Sequence, residues 1–365
     1  MPEHYPVYPN HTMMLDYLRS YARDFGVYEH AVFNTSVTAL MPRANGWDGW
    51  DVTLSDGRRK HYDFVAVCNG AQRQARYPDP AYGGSFSGIS VHSMDYKSPD
   101  QIRGQRVLVI GAGNSGCDIA VDASHHGRAV YHSTRRGYHY YPKFVDGKPT
   151  PQWMLQLGNK FSSKEETMAY IQQVFKLAGF DGTDYGLNSP DHPIYGAHPI
   201  INSQILYHIR HGGGSPKNEV PHFARKNVHF RDGRPAEVDG VNHATGYERR
   251  FPFIGPALVD RKDGLPDLFI HIVAGQVDNI LFFGFVNAAA GLGDGLRLQG
   301  QFVRSYIKAF TEKGVGYFRF AQAKQEDRPD LGQDYFLDSH RHRWEVDFWK
   351  FIKCARRYRD LLDER

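Results

Sequence analysis

The stretch that decides the fold is Val107-Leu-Val-Ile-Gly111-Ala-Gly113-Asn114-Ser115-Gly116, in which an aliphatic run is followed directly by a Gly-x-Gly-x-x-Gly turn. Residues 117–120, Cys-Asp-Ile-Ala, then continue with helical character. This order of strand, turn and helix predicts a dinucleotide-binding βαβ unit. Gly111 permits the tight turn, Gly113 lets the backbone approach a pyrophosphate, and Gly116 lets helix and strand pack closely. Asn114 and Ser115 complete the predicted binding residues at the helix N-terminus.

The end of the next strand indicates which dinucleotide is bound. An NAD site usually has Asp or Glu about 20 residues after the glycines, whereas an NADP site has cations there. This chain has Ser133-Thr134-Arg135-Arg136 after the strand 129–132 and no carboxylate. A guanidinium group offers a planar fork of donors that suits a phosphate. We therefore predict NADPH, with Arg135 on the 2′-phosphate and Ser133, Thr134 and Arg136 assisting.

Length and composition limit the classes of protein that the chain can belong to. At 365 residues, 41% of them hydrophobic, it suits two domains or one domain inserted in another. The net charge of +4 is mild, and no basic run with interleaved aromatic residues indicates nucleic acid. No stretch reaches the ~20 apolar residues of a membrane helix, and no signal-peptide pattern opens the chain. We expect a cytoplasmic protein.

Cysteine and histidine give little support to redox or metal chemistry. The three cysteines are widely spaced, at positions 68, 117 and 354, so a redox-active dithiol is not expected. The 19 histidines include His125-His126, but no spacing matches a zinc-binding helix. We predict no metal site.

The pattern along the chain alternates helices and short strands. Residues 11–25 and 164–177 predict helices, and Asp56-Gly57 and Asp232-Gly233 predict hairpin turns. Near the end, residues 280–285 form an apolar run before a glycine-rich stretch with Gly291, Gly293 and Asp294, and a helix is predicted from about Gln299. Phosphate or ribityl oxygens of a cofactor fit such a helix start. The tail 338–365 predicts a helix with Trp344, Phe348, Trp349 and Phe351 facing the core.

A further motif precedes the glycine turn and carries a resemblance to a known family. The stretch Phe86-Ser-Gly88-Ile-Ser-Val-His92-Ser-Met-Asp-Tyr96 matches, at every fixed position, the motif Phe-x-Gly-x-x-x-His-x-x-x-Tyr/Phe. By this motif the chain resembles the flavin-containing monooxygenases. The stretch Ala244-Thr245-Gly246-Tyr247 is similar to a second hallmark of that family, and Thr245 and Gly246 join the predicted binding residues.

The resemblance implies an α/β fold with two Rossmann-like, doubly wound dinucleotide-binding domains, the NADPH domain being inserted in the FAD domain. The implied boundaries are a partial FAD domain at 1–96 and an NADPH domain with an irregular insert at 97–250. The FAD domain returns at 251–320, and a helical extension follows at 321–365.

The family's chemistry implies that NADPH reduces FAD, which then transfers one atom of molecular oxygen to a small-molecule substrate through a flavin 4a-hydroperoxide. Tyr96 stands where the family's Baeyer–Villiger branch usually has Trp, so a soft nitrogen or sulfur nucleophile is the expected substrate. No catalytic side chain is implied, and His92 and Tyr96 are expected to order the domain junction. A homodimer is a further possibility.

The front of the chain departs from the family pattern. The family opens with its own Gly-x-Gly-x-x-Gly turn for the ADP part of FAD, but the chain's only such turn is at Gly111. We therefore expect an N-terminally incomplete FAD domain and a truncated monooxygenase. Two alternatives remain open at this point, a flavin-free NADPH-dependent reductase and a non-catalytic NADPH-binding protein.

Overall fold

The computed structural model describes residues 1–43, 49–157, 160–255, 258, 265–288 and 292–364. The chain divides into two compact units, one comprising Met1–Val65 and Phe251–Gly264 and the other Ala66–Arg250 and Leu265–Arg365. None of the helices in these described ranges combines the length and apolar character that crossing a membrane requires.

Helices and strands alternate along the chain. The α-helices are α1 (His11–Asp24), α2 (Val27–His30), α3 (Asn114–His126), α4 (Thr150–Leu155), α5 (Lys164–Leu177), α6 (Ile205–Arg210), α7 (Leu292–Glu312), α8 (Val315–Glu326) and α9 (Phe348–Leu362). The strands are β1 (Val37–Pro42), β2 (Trp50–Leu54), β3 (Arg59–Tyr62), β4 (Val65–Val67), β5 (Gln74–Ala75), β6 (Gly83–Phe86), β7 (Ile89–His92), β8 (Arg106–Ile110), β9 (Ala129–Ser133), β10 (Tyr140–Tyr141), β11 (Phe144–Val145), β12 (Lys148–Pro149), β13 (Ile200–Ile201), β14 (Ser215–Lys217), β15 (His222–Arg225), β16 (Asn227–His229), β17 (Ala236–Glu237), β18 (Gly240–His243), β19 (Tyr247–Glu248), β20 (Leu268–Phe269), β21 (Val273–Ala274), β22 (Ile280–Phe282), β23 (Asn287–Ala288) and β24 (Glu345–Val346).

The first unit contains α1 and an antiparallel sheet of β1, β2 and β3. Asn10 caps α1, since its side-chain oxygen accepts a hydrogen bond from the Met13 amide at 2.9 Å. The predicted helix is present, and so is the hairpin turn at Asp56-Gly57. No residue of α1 is buried, however, and Leu18 is 56% exposed. The apolar face of this helix therefore does not supply the buried residues of the unit, which include Leu40 and Trp50.

The centre of the second unit is a parallel five-stranded sheet in the order β14-β9-β8-β18-β7. Alternate residues of β8 point to opposite faces. Val107 and Val109 pack with Cys117 and Ala120 of α3, whereas Leu108 packs with a second apolar cluster. That second cluster also contains Val220, Phe223, Val228, Phe230, Val238 and Val241. Both faces of the sheet are covered, as in α/β proteins with a doubly wound sheet.

The C-terminal part of the second unit packs helices around aromatic residues. A sheet with the order β20-β21-β22-β4 precedes α7, which packs against α8 and α9. Helix α7 begins at Leu292, seven positions before the predicted start. Trp344 and Phe351 are buried as predicted, but Trp349 is 57% exposed, so the prediction that it faces the core is wrong. The buried stripe of α9 is Phe351, Ile352, Ala355, Tyr358 and Leu362, and Trp349 lies outside it.

Candidate functional site

The candidate site lies at the carboxyl edge of the parallel sheet. After β8 the chain adds β9 on one side, and β18 later pairs with β8 on the other side. The edge between these neighbours is a topological switch point, where doubly wound sheets bind their ligands. The glycine turn follows β8 there, Thr134 follows β9, and Ala244 follows β18. The sheet therefore brings the predicted NADPH residues from separate parts of the sequence to one edge.

Two of the three glycines of the turn, Gly111 and Gly116, leave no space for a side chain. Gly111 has φ +124°, and a Cβ built on it would lie 2.2 Å from the carbonyl oxygen of Ala244. A Cβ on Gly116 would lie 2.0 Å from the carbonyl oxygen of Gly111. Both close approaches involve backbone atoms, which cannot move aside as a flexible side chain can. The turn, the start of α3 and the end of β18 are therefore packed backbone against backbone.

Gly113 differs from the other two glycines. It is the N-cap of α3 with φ −66°, and no side chain caps the helix there. The atom nearest to a Cβ built on Gly113 is Nη1 of Arg341, at 3.5 Å. The space that a side chain would fill is therefore free of clashes and is bordered by a cation. This open approach to the first turn of a helix is what a pyrophosphate needs.

The two residues between Gly113 and Gly116 have different environments. The Asn114 side chain accepts a hydrogen bond from the Ile201 amide at 2.9 Å and donates one to the Pro199 carbonyl at 3.0 Å. It fastens the start of α3 to β13. Ser115 is exposed. Asn114 thus holds the turn in place, while Ser115 is the residue of this pair whose side chain faces solvent.

The four residues predicted around the 2′-phosphate differ in their contacts with the rest of the protein. Ser133 and Thr134 are each 2% exposed, and the Ser133 hydroxyl donates to the Asn218 carbonyl at 2.7 Å. Arg136 pairs with Asp191 at 2.8 Å. Arg135 is exposed and, within the described part of the chain, makes no ion pair with a carboxylate. Arg135 is therefore the residue of the four whose charge is available to a ligand.

The motif residues before the glycine turn contact protein atoms. The Phe86 ring lies 5.5 Å from that of Phe223, and a Cβ on Gly88 would lie 2.3 Å from the Asp239 carbonyl oxygen. His92 is fully buried, and its Nδ1 accepts a hydrogen bond from the Met94 amide at 3.1 Å. Burial lowers the pKa of His92. These contacts fix the segment that connects β6, in one sheet, to β7, in the parallel sheet.

The last motif residue ties this segment to the nucleotide-binding helix. The Tyr96 hydroxyl donates a hydrogen bond to the Asp122 carboxylate on α3. Burial, followed by the bond to Asp122, raises the pKa of Tyr96. Tyr96 therefore remains protonated and acts as a donor at neutral pH. Its contacts support the interpretation that it positions α3.

The second hallmark lies just after β18. The Thr245 hydroxyl donates to the Arg76 carbonyl at 2.5 Å, and the Arg76 amide donates to the Gly246 carbonyl at 3.0 Å. Gly246 has φ +94°, which favours glycine. Thr245 and Gly246 therefore join the chain segment around Arg76 to the edge of the parallel sheet.

The predicted flavin residues lie at the start of α7, although Gly291 lies outside the described residues. Gly293 and Asp294 are exposed in the first turn of α7, and Asp294 pairs with Arg297 at 3.3 Å. Before α7, Gly284 has φ +82°, and its amide donates to Gln299 of α7 at 3.2 Å. The described part of the first turn of α7 is thus exposed to solvent, and it carries the carboxylate of Asp294.

Sequence reasoning missed Arg341 at the glycine turn. It predicted one helix over 338–365, but the described helix α9 begins at Phe348. Residues 338–347 instead form an irregular segment that contains β24. No local signal relates this segment to Gly113, which lies more than 200 positions earlier in the sequence. The contact is visible only in three dimensions.

The fold and the glycine turn define a protein with a dinucleotide-binding α/β unit. A model of the family described as flavin-binding monooxygenase-like matches residues 1–352. The chain belongs to this family of oxidoreductases. The fold and family predicted from the sequence are therefore confirmed.

Curated relatives include flavin-containing monooxygenase 5 of Oryctolagus cuniculus, 34% identical over 70% of this chain and 50% of its own length. The same enzyme of Cavia porcellus is 34% identical over 95% of this chain and 67% of its length. Dimethylaniline monooxygenase [N-oxide-forming] 2 of Oryctolagus cuniculus is 27% identical over 84% of this chain and 60% of its own length. The chain thus spans half to two thirds of the length of these relatives.

A solved structure supports the fold. Cyclohexanone monooxygenase from Rhodococcus sp. Phi1, bound to NADP+, superposes with a TM-score of 0.68 and 15% sequence identity. The superposition covers 95% of this chain and 81% of the other. The fold of this monooxygenase agrees with the pair of Rossmann-like domains predicted for the chain. At this level of identity, the likeness concerns the fold alone.

Proposed function

We propose that this chain binds NADPH and FAD and belongs to an enzyme that transfers one oxygen atom to a soft nitrogen or sulfur nucleophile. The observation that carries the proposal is the glycine turn beside an unengaged arginine. Gly113 leaves the first turn of α3 open, and Arg135, at the end of the neighbouring strand, forms no ion pair with any described residue. A dinucleotide with a 2′-phosphate fits both features.

The preference for NADPH over NADH rests on charge. No carboxylate directly follows β9, so the acidic residue that holds an unmodified ribose in NAD sites is missing there. A guanidinium pairs strongly with a phosphate because the hydrogen bonds are charge-assisted. Arg136 is held by Asp191, and this leaves Arg135 for the cofactor. Selectivity between the two nicotinamide cofactors therefore depends on Arg135.

The assignment of FAD rests on family membership and on the start of α7. A helix N-terminus favours anions through its unpaired amides and its dipole, and among the described residues no atom lies within 4 Å of a Cβ built on Gly293. Bound flavin accepts hydride from the reduced nicotinamide and activates molecular oxygen. The residues of this chain hold the cofactors and fix the backbone around them. No side chain is assigned as an acid, base or nucleophile.

The preference for nitrogen or sulfur rests on Tyr96 in the motif and on the relatives. One of them is named for N-oxide formation on dimethylaniline. We place Tyr96 outside the chemistry itself because its hydroxyl is engaged by Asp122. It supports the helix on which the nicotinamide cofactor binds.

The test uses the purified chain in two steps. The visible absorption bands of flavin are recorded with and without added FAD, and NADP+ is titrated by calorimetry. NADPH consumption is then followed with N,N-dimethylaniline or methyl phenyl sulfide under air, and the products are examined by mass spectrometry for one added oxygen atom. Cyclohexanone serves as the comparison substrate for Baeyer–Villiger oxidation.

Each outcome separates one part of the proposal from another. Stoichiometric FAD, NADP+ binding and an N-oxide or sulfoxide product support it in full. Binding of NADP+ without flavin favours the two alternatives, and NADPH consumption with an added acceptor then distinguishes a flavin-free NADPH-dependent reductase from a non-catalytic NADPH-binding protein. An ester formed from cyclohexanone, with neither heteroatom product, overturns the substrate class. Failure to bind NADP+ overturns the assignment of the glycine turn.

A further inference from the structure

The inference concerns Arg341, which belongs to the C-terminal segment and lies at the glycine turn. Three atoms of its guanidinium group border the space beside Gly113. Nη1, Nη2 and Cζ lie 3.5, 3.6 and 3.9 Å from the position that a Cβ on Gly113 would occupy. The guanidinium therefore lies against the opening through which a pyrophosphate reaches the first turn of α3.

The backbone that carries Arg341 is anchored on both sides. The Leu337 amide donates to the Gly196 carbonyl at 2.7 Å, and β24, which begins at Glu345, pairs with β23. Between these anchors the His342 amide donates to the Ser339 carbonyl at 3.0 Å. His342 is 7% exposed and fixes the segment beside Arg341. The position of Arg341 is thus set by tertiary contacts, which hold it at the turn.

The charge of Arg341 is not neutralised by the protein. In the ranges that the structure describes, Arg341 forms no ion pair and no hydrogen bond. Burial lowers the pKa of the neighbouring His342 to about 4, and the charge of Arg341 contributes to that shift. The N-terminus of α3 adds a further partial positive charge. The guanidinium of Arg341 and the N-terminus of α3 therefore both favour an anion in this space.

His342 adds a second observation. Its Nδ1 is engaged by the Ser339 hydroxyl at 2.8 Å, whereas its buried Nε2 has no hydrogen-bond partner among the described residues. A buried polar atom without a partner is unfavourable, because it has lost its hydrogen bonds to water. A bound anion with its ordered water offers such an atom a partner. The unpaired Nε2 thus favours a hydrogen-bond partner from outside the described residues, at the residue that follows Arg341 in the sequence.

We propose that Arg341 is a ligand of the cofactor's pyrophosphate, supplied by the C-terminal segment to a site whose other parts lie on β8 and α3. The inference rests on the proposed function and extends it. Arg341 compensates the charge that both nicotinamide cofactors share, whereas Arg135 compensates the 2′-phosphate that only NADPH carries. The two arginines therefore have separable effects on affinity.

The experiment compares Arg341→Gln with the wild-type chain by calorimetric titration of three probes. NADP+ carries both phosphate groups, NAD+ carries only the pyrophosphate, and 2′-AMP carries only the 2′-phosphate. Losing a charge-assisted contact lowers affinity by roughly tenfold to a hundredfold. We expect that loss for NADP+ and NAD+, with 2′-AMP unchanged.

Two further variants keep the result interpretable. Arg356→Gln removes the same charge from an exposed position on α9 and should leave all three affinities at the wild-type level. Arg341→Lys keeps the charge but loses the fork of donors, and it should bind NADP+ with intermediate affinity. The thermal unfolding midpoint of each variant shows whether the chain remains folded.

The outcomes distinguish this inference from the proposed function. If the wild type binds NADP+ and Arg341→Gln binds it equally well or more tightly, the inference is overturned and the proposed function stands. If 2′-AMP weakens as much as NAD+, Arg341 does not contact the pyrophosphate specifically, and the inference is again overturned. If the wild type does not bind NADP+, the proposed function itself fails.

Discussion

The carbonyl oxygen of Gly111 and the α-carbon of Gly116 are so close that a methyl group on Gly116 would lie 2.0 Å from that oxygen. This relationship fixes how α3 starts against the end of β8. Gly116→Ala therefore requires the backbone to shift, and overpacking of this kind costs about 1 to 3 kcal/mol. We expect a lower unfolding midpoint in urea together with weaker binding of NADP+.

Gly113→Ala is the matched control for that change. Its methyl group would meet nothing closer than 3.5 Å, and its φ of −66° suits alanine. Stability should fall by less than in Gly116→Ala, because the restriction that alanine places on the unfolded chain offsets part of its poorer fit at an N-cap. Affinity for NADP+ should still fall, since the methyl group occupies the pyrophosphate's approach. Equal stability losses in the two variants would contradict the geometry of the turn.

Arg135→Ala tests the assignment of the 2′-phosphate. Loss of one charge-assisted contact should weaken NADPH binding by about 1 to 3 kcal/mol and leave NADH binding almost unchanged. Titration of both cofactors against the variant measures this difference. Arg136→Ala is the control, because the side chain it removes is already paired with Asp191. Equal losses of NADPH and NADH in Arg135→Ala would count against the assignment.

Sequence reasoning succeeded where the signal was local. The glycine turn, its strand and its helix all lie within residues 106–126, so the spacing of a few glycines determines the geometry. Helix α5 was predicted with its observed bounds. The Ser163 hydroxyl accepts a hydrogen bond from the Glu166 amide, and an N-cap of this kind depends only on residues close together in the sequence.

The sequence-based predictions were wrong where contacts between residues distant in the sequence determine the structure. Periodicity gives the helix that contains Trp349 but not which stripe of it is buried, and contact with α7 selects the stripe that contains Phe351 and Tyr358. Gly293, Gly295 and Gly300 disfavour a helix start as early as Leu292, whereas packing against α8 and α9 stabilises α7 as a whole. Arg341 was missed for the same reason.

The hydrogen bond from Tyr96 to Asp122 gives a prediction about the motif. Tyr96→Phe removes a partly buried bond to a carboxylate, so the free energy of unfolding should fall by about 1 to 3 kcal/mol. Affinity for NADP+ should fall less than in Gly113→Ala, since the bond supports α3 from residues outside the glycine turn. Urea unfolding and calorimetry measure the two quantities.

A double-mutant cycle isolates the pair. Asp122→Asn combined with Tyr96→Phe should destabilise the chain by less than the sum of the single changes, because both remove the same bond. Tyr207→Phe, at an exposed position on α6, is the control and should have no effect. A fully additive cycle, or a selective loss of NADP+ binding in Tyr96→Phe, would show that Tyr96 does more than position α3.

Buried histidines make stability depend on pH, and His243 at the end of β18 is the clearest case. Burial, assisted by the neighbouring His92, lowers the pKa of His243 from 6.5 to about 4. The unfolded chain therefore binds a proton at a higher pH than the folded chain does. The stability that the neutral ring preserves is fully present above pH 6.5 and is lost as the pH falls towards 4.

The linkage relation gives the size of this effect. For this one residue, unfolding should become easier by about 2 kcal/mol between about pH 8 and about pH 5. His243→Gln should reduce the difference between urea midpoints at those two pH values, because glutamine does not titrate. His30→Gln, which removes an exposed ring from α2, should reproduce the wild-type difference. A His243→Gln variant with the full wild-type difference would show that other groups, among them the buried His271 and His342, account for the acid sensitivity.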